Sequence, residues 1–355
     1  MDEFRIDSHK LMYHVGRVND WLGGSDIYPV YAEVSPVGYC NHRCTYCALD
    51  YMEYQARYLP AELLKTRLAE MGRLGVKSIM YAGEGEPLLH KNITDIINHT
   101  KKSGIDVAIT SNGVFFNRKV ITESLASISW IKISINGGTK ETYARVHRTR
   151  EEDFATVMEN IREAVRFRHA HGLKATIGMQ MILLPENAHE AVLLAEKAKE
   201  IGADYLVIKS YSQHLKSLTE QYREFRYSDY YHLGEELKKI SGGGFNVVFR
   251  MNAMKKLESG KKSYSKCLAL PFWTYIDAGG GVWGCSAYLG DERFLFGDIN
   301  KETFEDIWKG ERRKKVMEFV AKELDIKGCR ENCRMDEVNR YLWELRNPGP
   351  HVNFI

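Results

Sequence analysis

Apolar residues along the chain fall into two alternating rhythms. From Ile27 to about Ser210, short runs rich in Val, Ile and Tyr are followed by longer stretches in which apolar positions recur every three or four residues. The first rhythm marks a buried strand and the second an amphipathic helix. "IYPVYAEVSPV" predicts the first strand. "PAELLKTRLAEMGRLG" predicts a helix with Pro60 and Ala61 in its first turn and Gly75 as its stop. "KSIMYAG", a helix near "NITDIINHTKKSG" and the strand "DVAITSNG" follow. "WIKISING" leads into a long helix at about 152 to 171, and then come "KATIGMQMILLP", the helix "AHEAVLLAEKAKEIG" and "DYLVIKSY". Six β-then-α units in succession predict an α/β fold, a parallel sheet with helices outside, either an open doubly wound sheet or a barrel. In such folds reactive groups gather at the C-terminal ends of the strands.

Beyond residue 260 the pattern changes. "FWTYID" and "GVWGC" read as a β-hairpin turning on Ala278, Gly279 and Gly280, and Asn300 as the N-cap of the helix after it. The basic run "KGERRKK", 309 to 315, reads as the solvated face of a helix. The tail "NPGPHVNFI" cannot be helical across its prolines and ends in apolar residues, so it is expected to tuck against the rest of the chain.

Composition narrows the function classes. At 355 residues the chain exceeds the usual single core, so one large domain with an appendage, or two domains, is expected. No apolar run approaches the roughly 18 residues needed to span a bilayer. The start, "MDEFRIDSHKLMYH", lacks the basic and apolar regions of a secretory signal, which predicts a cytoplasmic location. A formal charge of +3, dispersed along the chain, predicts neither nucleic-acid binding nor an RNA-modifying role.

Cysteine changes the picture most. Seven is an odd number, and cytosolic thiols are kept reduced, so metal ligation is the natural reading. Cys40, Cys44 and Cys47 stand in "CNHRCTYCALDY", on a loop just after the first strand. Three sulfurs on one short loop suit zinc or iron-sulfur chemistry. A structural zinc site wants a fourth protein ligand, for which His42 is the local candidate, whereas an iron-sulfur cubane on three cysteines keeps one iron open.

The C-x3-C-x2-C spacing, with Tyr46 before its last cysteine and a βα repeat around it, resembles the radical S-adenosylmethionine superfamily. "YAGEGEPLL", 81 to 89, resembles that family's glycine-glutamate motif after strand two, which implies Gly83, Glu84, Gly85 and Glu86 as contacts of the methionine moiety. The family's usual form is Gly-Gly-Glu-Pro, and here Glu84 separates the two glycines, so Glu86 is the better match. "KISING" puts Ser134 and Asn136 where the family holds ribose and carboxylate, and "TSNG" puts Ser111 at the end of strand three. The resemblance covers roughly residues 28 to 215. It implies a partial (β/α)6 TIM-like barrel, a 4Fe-4S cluster on Cys40, Cys44 and Cys47, and S-adenosylmethionine chelated to the open iron. The resulting 5'-deoxyadenosyl radical takes a hydrogen atom from substrate. Flavodoxin or ferredoxin is the electron donor it implies.

Cys267, Cys285, Cys329 and Cys333, the last two in "CRENC", could form a zinc ribbon with the hairpin. The stretch also resembles the SPASM extension, or its shorter relative, the Twitch domain, in a small C-terminal α+β domain. Four cysteines imply one auxiliary 4Fe-4S cluster, and thus two clusters in all. The expected division is an N-terminal arm at 1–27, the barrel at 28–255, the auxiliary domain at 256–346 and a tail at 347–355.

Three plus four uses every cysteine, so no thiol is spare to quench a substrate radical. The alternative fate is loss of an electron to the auxiliary cluster, with a base taking the hydroxyl proton, and this oxidises a secondary alcohol. A four-cysteine Twitch of this kind resembles radical aminocyclitol dehydrogenases. Dehydration and epimerisation stay open, because the chain has 20 tyrosines that could donate hydrogen. Only some 27 residues precede strand one, too few for a peptide-recognition domain, which favours a small sugar, nucleotide-sugar or aminocyclitol over a ribosomal peptide. Candidates for substrate contact are Gln180 and Met181 on strand five, Lys209, Tyr211 and His214 after strand six, and Arg250. Arg145, His147 and Arg148 follow strand four and suit a phosphate or an acid. Lys209, Gln180 and Arg148 are the catalytic candidates.

Overall fold

The structure, a computed structural model, describes residues 8–354, so the start of the chain and the last residue of the tail lie outside the described residues. Ten strands form one sheet in the order β10-β9-β8-β1-β2-β3-β4-β5-β6-β7. The six expected strands are β1 (Tyr31–Val34), β2 (Ser78–Tyr81), β3 (Asp106–Ser111), β4 (Ile128–Ser134), β5 (Thr176–Leu183) and β6 (Tyr205–Ser210). They pair in parallel, each with the next, and helices fill the connections. The helix Ala61–Arg73 begins after Pro60, and Gly75, with φ +87°, ends its turn. A helix at Glu152–Ala170 is the long one expected after strand four.

Ile131, Ile133, Ile177, Met179, Leu206 and Ile208 are fully buried in the main core. They alternate along β4, β5 and β6, so the helices cover that face and the intervening residues line the concave face. Each buried aliphatic side chain contributes roughly 1.5–3 kcal/mol, and a one-residue slip would expose the whole set. Register is therefore fixed by the core, and with it the residues that line the concave face.

Two features go beyond the six units. A seventh parallel strand, β7 (Asn246–Phe249), follows a glycine run and pairs with β6. The hairpin β8 (Trp273–Ile276) and β9 (Gly281–Trp283) forms as expected, but β8 also pairs in parallel with β1, and β10 (Leu295–Asp298) pairs with β9. The C-terminal hairpin thus continues the barrel sheet, which stays open between β10 and β7. All four residues of β8 are buried, as a strand covered on both faces must be.

Local corrections follow from competing partners. Thr303, not Asn300, caps the helix Phe304–Lys309, because its side chain accepts from the Asp306 amide while the Asn300 amide donates to the Gly279 carbonyl at 2.7 Å. In the basic run Arg313 is buried, its guanidinium 4.1 Å from the Trp308 ring, whereas its neighbours are exposed. The tail does not tuck in: Val352 and Phe354 are exposed, Phe354 by 83%. Trp21 of the helix Val15–Leu22 and Leu342 of the helix Asp336–Arg346 share a small core with Ile27, Val30 and Phe272, which ties these two helices to the sheet.

Candidate functional site

The loop carrying Cys40, Cys44 and Cys47 leaves the C-terminal end of β1 and is closed at its base. Gly38 donates to the Arg57 carbonyl and Leu59 to that of Pro36, at 2.9 and 3.0 Å. The Arg43 and Thr45 amides donate to the His147 and Val146 carbonyls, pinning the loop to the helix Lys140–His147. All three thiols are free, and each is pushed up by burial. Cys40 reaches about 12, with Glu86 and Cys47 adding to burial, while Cys47 and Cys40 both raise Cys44. Three sulfurs that repel one another as thiolates form a donor set that a cationic centre would relieve. The residues therefore fit an iron-sulfur cluster.

His42 is buried and faces Asp153, with Nε2 3.5 Å from the carboxylate. His42, Cys44 and His147 present ligand atoms within 4.8 Å of one another. His147, however, is committed to other partners. Its Nε2 accepts the Asn136 backbone N–H at 3.1 Å, so the ring proton sits on Nδ1, 3.5 Å from Cys44 Sγ. The imidazole thus donates to the cysteine sulfur. This role was missed in the sequence, where His147 looked like a phosphate or acid contact. The available signal was its phase with Tyr143, on which it stacks at 4.3 Å.

The glycine-glutamate stretch packs against this loop. A Cβ on Gly85 would lie 2.2 Å from the Tyr39 carbonyl oxygen, and Gly83, with φ +115°, sits beneath the Tyr275 hydroxyl. Glu86 is buried and accepts from Ser111 Oγ (2.7 Å), the Asn112 amide (2.8 Å) and the Leu88 amide (3.0 Å). Burial pushes its carboxyl up to about 7. Glu84 points elsewhere, to Arg57 at 2.8 Å and the Ala278 amide at 3.1 Å, so it locks the C-terminal hairpin to the barrel.

Ser111 and Asn136, expected as cofactor contacts, are likewise spent within the protein. The Ser111 hydroxyl joins Glu86 to the Gly113 amide. Asn136 donates to the Tyr46 hydroxyl at 2.6 Å and accepts from the Ile182 amide at 2.6 Å, which makes both it and Tyr46 supports of the loop. Ser134, half-buried at the end of β4 beside Gln180, keeps its place on the concave face.

That face carries an apolar patch of Met80, Ala82 and Ala108 with Tyr31 and Trp130, and a group of basic residues beside it. Lys132, Gln180 and Lys209 share the concave face by register, and Arg250 follows β7. Lys132 was missed; its signal was an alternation in phase with Ser134. Met181 points the other way, into the helix-covered core, and Arg148 is exposed as the left-handed C-cap of its helix, so neither faces the concave side. Tyr211 is buried against Tyr222, and His214 stacks on Tyr51 at 5.1 Å.

The last four cysteines come together from three places. Burial pushes Cys267 up to about 12, followed by the effects of Cys333 and Cys329, and Cys285 lies in the field of Cys333, Cys267 and Cys329. The Tyr288 hydroxyl and Cys329 Sγ are 3.3 Å apart, and the Met335 amide donates to Cys333 Sγ. The segment between Cys329 and Cys333 reaches the barrel mouth. Arg330 donates to Ser212 Oγ (2.9 Å), Asn332 donates to Ser210 Oγ (3.1 Å), and Arg334 pairs with Glu33. No helix among the described residues is long and apolar enough to cross a membrane.

Comparisons with known proteins agree with this arrangement. Residues 34–198 match the family model of the Radical SAM superfamily, and residues 267–334 match that of SPASM, an iron-sulfur cluster-binding domain. The tungsten-containing aldehyde ferredoxin oxidoreductase cofactor-modifying protein of Pyrococcus furiosus is 24% identical over 82% of this chain and 83% of its own. A GTP 3',8-cyclase of Corynebacterium glutamicum is 30% identical over 50% of this chain, which spans about half (48%) of that enzyme. Among solved structures, Streptococcus suis SuiB bound to precursor peptide SuiA shares the fold, with TM-score 0.66 and 16% identity over 84% of this chain and 69% of that one.

Proposed function

Since the chain belongs to the radical S-adenosylmethionine superfamily and carries a C-terminal iron-sulfur cluster-binding domain, we propose that it abstracts hydrogen from a small polar substrate and oxidises a secondary alcohol. When bound, the clusters and S-adenosylmethionine supply a 5'-deoxyadenosyl radical that removes a hydrogen atom, and an acceptor for the electron the substrate then gives up. Cys40, Cys44 and Cys47 would hold one cluster, and Cys267, Cys285, Cys329 and Cys333 the other. The reaction would balance as follows: one electron from the reductant and one S-adenosylmethionine would give methionine and a deoxyadenosine carrying the carbinol C–H hydrogen, one electron would pass to the cluster held by Cys267, Cys285, Cys329 and Cys333, and the O–H proton would go to a base, leaving a ketone.

Lys209 is our base. Burial, then Lys132, Arg250 and Arg330, hold its ammonium well below the usual lysine range, so a neutral amine is accessible to accept the proton. Gln180, buried beside Ser134, would orient the hydroxyl. The observation that carries the oxidation reading is the division of the seven cysteines into three and four, with none left to donate hydrogen to a substrate radical. A small-molecule substrate draws support from relatives named for GTP cyclisation and cofactor modification. Peptide maturation is the second reading, favoured by the fold shared with a peptide-bound structure. We assign residues 28–255 to radical generation and 256–346 to electron removal, with flavodoxin or ferredoxin as reductant and the cytoplasm as the compartment that keeps the thiols reduced.

Iron and sulfide per chain, with deoxyadenosine formation, test this reading after anaerobic reconstitution. The natural chain should hold about eight irons, and Cys329→Ala about four while still cleaving S-adenosylmethionine. Cys44→Ala should form no deoxyadenosine; retained activity would sink the assignment. About four irons in the natural chain, lost with the Cys40, Cys44, Cys47 triple alanine variant, would replace oxidation by a redox-neutral reaction.

A further inference from the structure

Four basic side chains from four parts of the chain converge on the concave face of the sheet. Lys132 stands on β4, level with Gly178 and Tyr205 of the next strands, and Lys209 stands on β6 beside Ile182. The Arg250 amide donates to the Ile208 carbonyl at 2.9 Å, which sets Arg250 next to Lys209 across the β6–β7 pair. Arg330 enters from between Cys329 and Cys333 and bonds to Ser212, just past the end of β6. All four are half-buried, so each keeps some contact with solvent on the space they flank, called the chamber below.

Their charges act on one another. Lys209 lies in the field of Lys132, Arg250 and Arg330, and Lys132 in that of Arg250. Among the described residues no carboxylate forms an ion pair with Lys132, Lys209 or Arg330, and the Glu33 carboxylate on the same face is taken by Arg334. Confining like charges in a partly desolvated space is unfavourable unless something of opposite sign enters. A second observation points to the same space. The Tyr51 hydroxyl is buried without a hydrogen-bond partner and lies in the fields of Glu84, Cys285 and Arg330.

We propose that the chamber binds the phosphoryl part of the substrate, a phosphate ester or diphosphate carrying at least two negative charges. A carboxylate is planar and is satisfied by one guanidinium fork. The Lys132 ammonium and two guanidinium groups arriving from different directions, with the Lys209 amine between them, suit the several oxygens of a phosphoryl group, to which the Tyr51 hydroxyl can also donate. This inference rests on reading the concave face as the substrate site of the enzyme proposed above. It narrows the substrate class to phosphorylated small molecules and gives Lys132, Arg250 and Arg330 a role in holding them.

Calorimetric titration of inorganic pyrophosphate into the reconstituted full chain tests it, with succinate as the carboxylate control. The natural chain should bind pyrophosphate, more weakly as salt is raised. Lys132→Met should bind it about tenfold more weakly, the loss expected for one charge-assisted hydrogen bond. Without ligand, this variant should unfold at a higher temperature, because a repelled charge has been removed, and this separates lost binding from lost folding. No pyrophosphate binding by the natural chain, or undiminished binding in the variant, overturns the proposal. So does a lowered unfolding temperature, which would mean that Lys132 is already paired. Succinate binding as tightly as pyrophosphate overturns the phosphoryl assignment. Deoxyadenosine formation by the natural chain is read separately: if it persists while pyrophosphate fails to bind, this inference alone falls, and if it is absent, the proposed function falls.

Discussion

Replacing His147 with leucine should lower the reduction potential of the cluster on the first cysteine loop. The imidazole donates its Nδ1–H to Cys44 Sγ across 3.5 Å, while its Nε2 is fixed by the Asn136 amide at 3.1 Å. Hydrogen bonds to ligand sulfur favour the reduced, more negative cluster. A hydrogen bond to a charged group contributes roughly 1.5–3 kcal/mol. If about half of a 2 kcal/mol bond distinguishes the two oxidation states, the differential is about 1 kcal/mol, and one-electron conversion at about 59 mV per 1.4 kcal/mol gives a fall of about 40 mV. Leucine also leaves the buried Asn136 N–H without an acceptor, a cost of about 1–3 kcal/mol in stability. The assay is a redox titration followed by electron paramagnetic resonance, in the Cys329→Ala background so that a single cluster titrates. A stability loss with the potential unchanged within about 10 mV would refute the reasoning and leave His147 as packing alone.

Two further substitutions probe the supports of the site. Gly85→Ala puts a Cβ 2.2 Å from the Tyr39 carbonyl oxygen and 2.5 Å from that of Val37. Backbone must move to admit it, so we expect a loss of about 1–3 kcal/mol in stability, together with failure to retain the first cluster, read as iron per chain; full iron content would show that the loop yields freely. Glu190 accepts from the Gly138 amide (2.6 Å), Thr139 Oγ1 (2.8 Å) and Thr142 Oγ1 (2.7 Å) at the start of the helix Lys140–His147. Burial pushes its carboxyl up, but those hydrogen bonds outweigh it and hold the group below the usual carboxylate range. A carboxyl with a depressed folded-state pKa stabilises the protein above its unfolded pKa, and that contribution is lost as pH falls through the folded value. Glu190→Gln should therefore cost about 1–3 kcal/mol near neutral pH and progressively less in acid, measured as urea midpoints at several pH values; a pH-independent gap would contradict the assignment.

The sequence by itself determined the strand-helix alternation, because period and punctuation are local. Pro60, Gly75 and the apolar runs of β1 to β6 each signal their own structure. It also determined the cysteine loop, since three thiols within eight residues have few uses, and the hairpin, whose turn needs Gly280 at φ +99°. Tertiary structure decided which polar groups are free to act. Ser111, Glu84 and Asn136 carry the right chemistry at the right strand ends, yet partners far along the chain, Glu86, Arg57 with Ala278, and Tyr46 with Ile182, take their hydrogen-bonding capacity. A buried polar group must be satisfied, and its partner is set by packing, which a one-dimensional pattern does not encode. The same holds for charge. Lys132, Lys209, Arg250 and Arg330 lie up to about two hundred residues apart in sequence, and they meet because core burial fixes the register of β4, β6 and β7 while β8, paired in parallel with β1, brings the C-terminal cysteines to the barrel mouth.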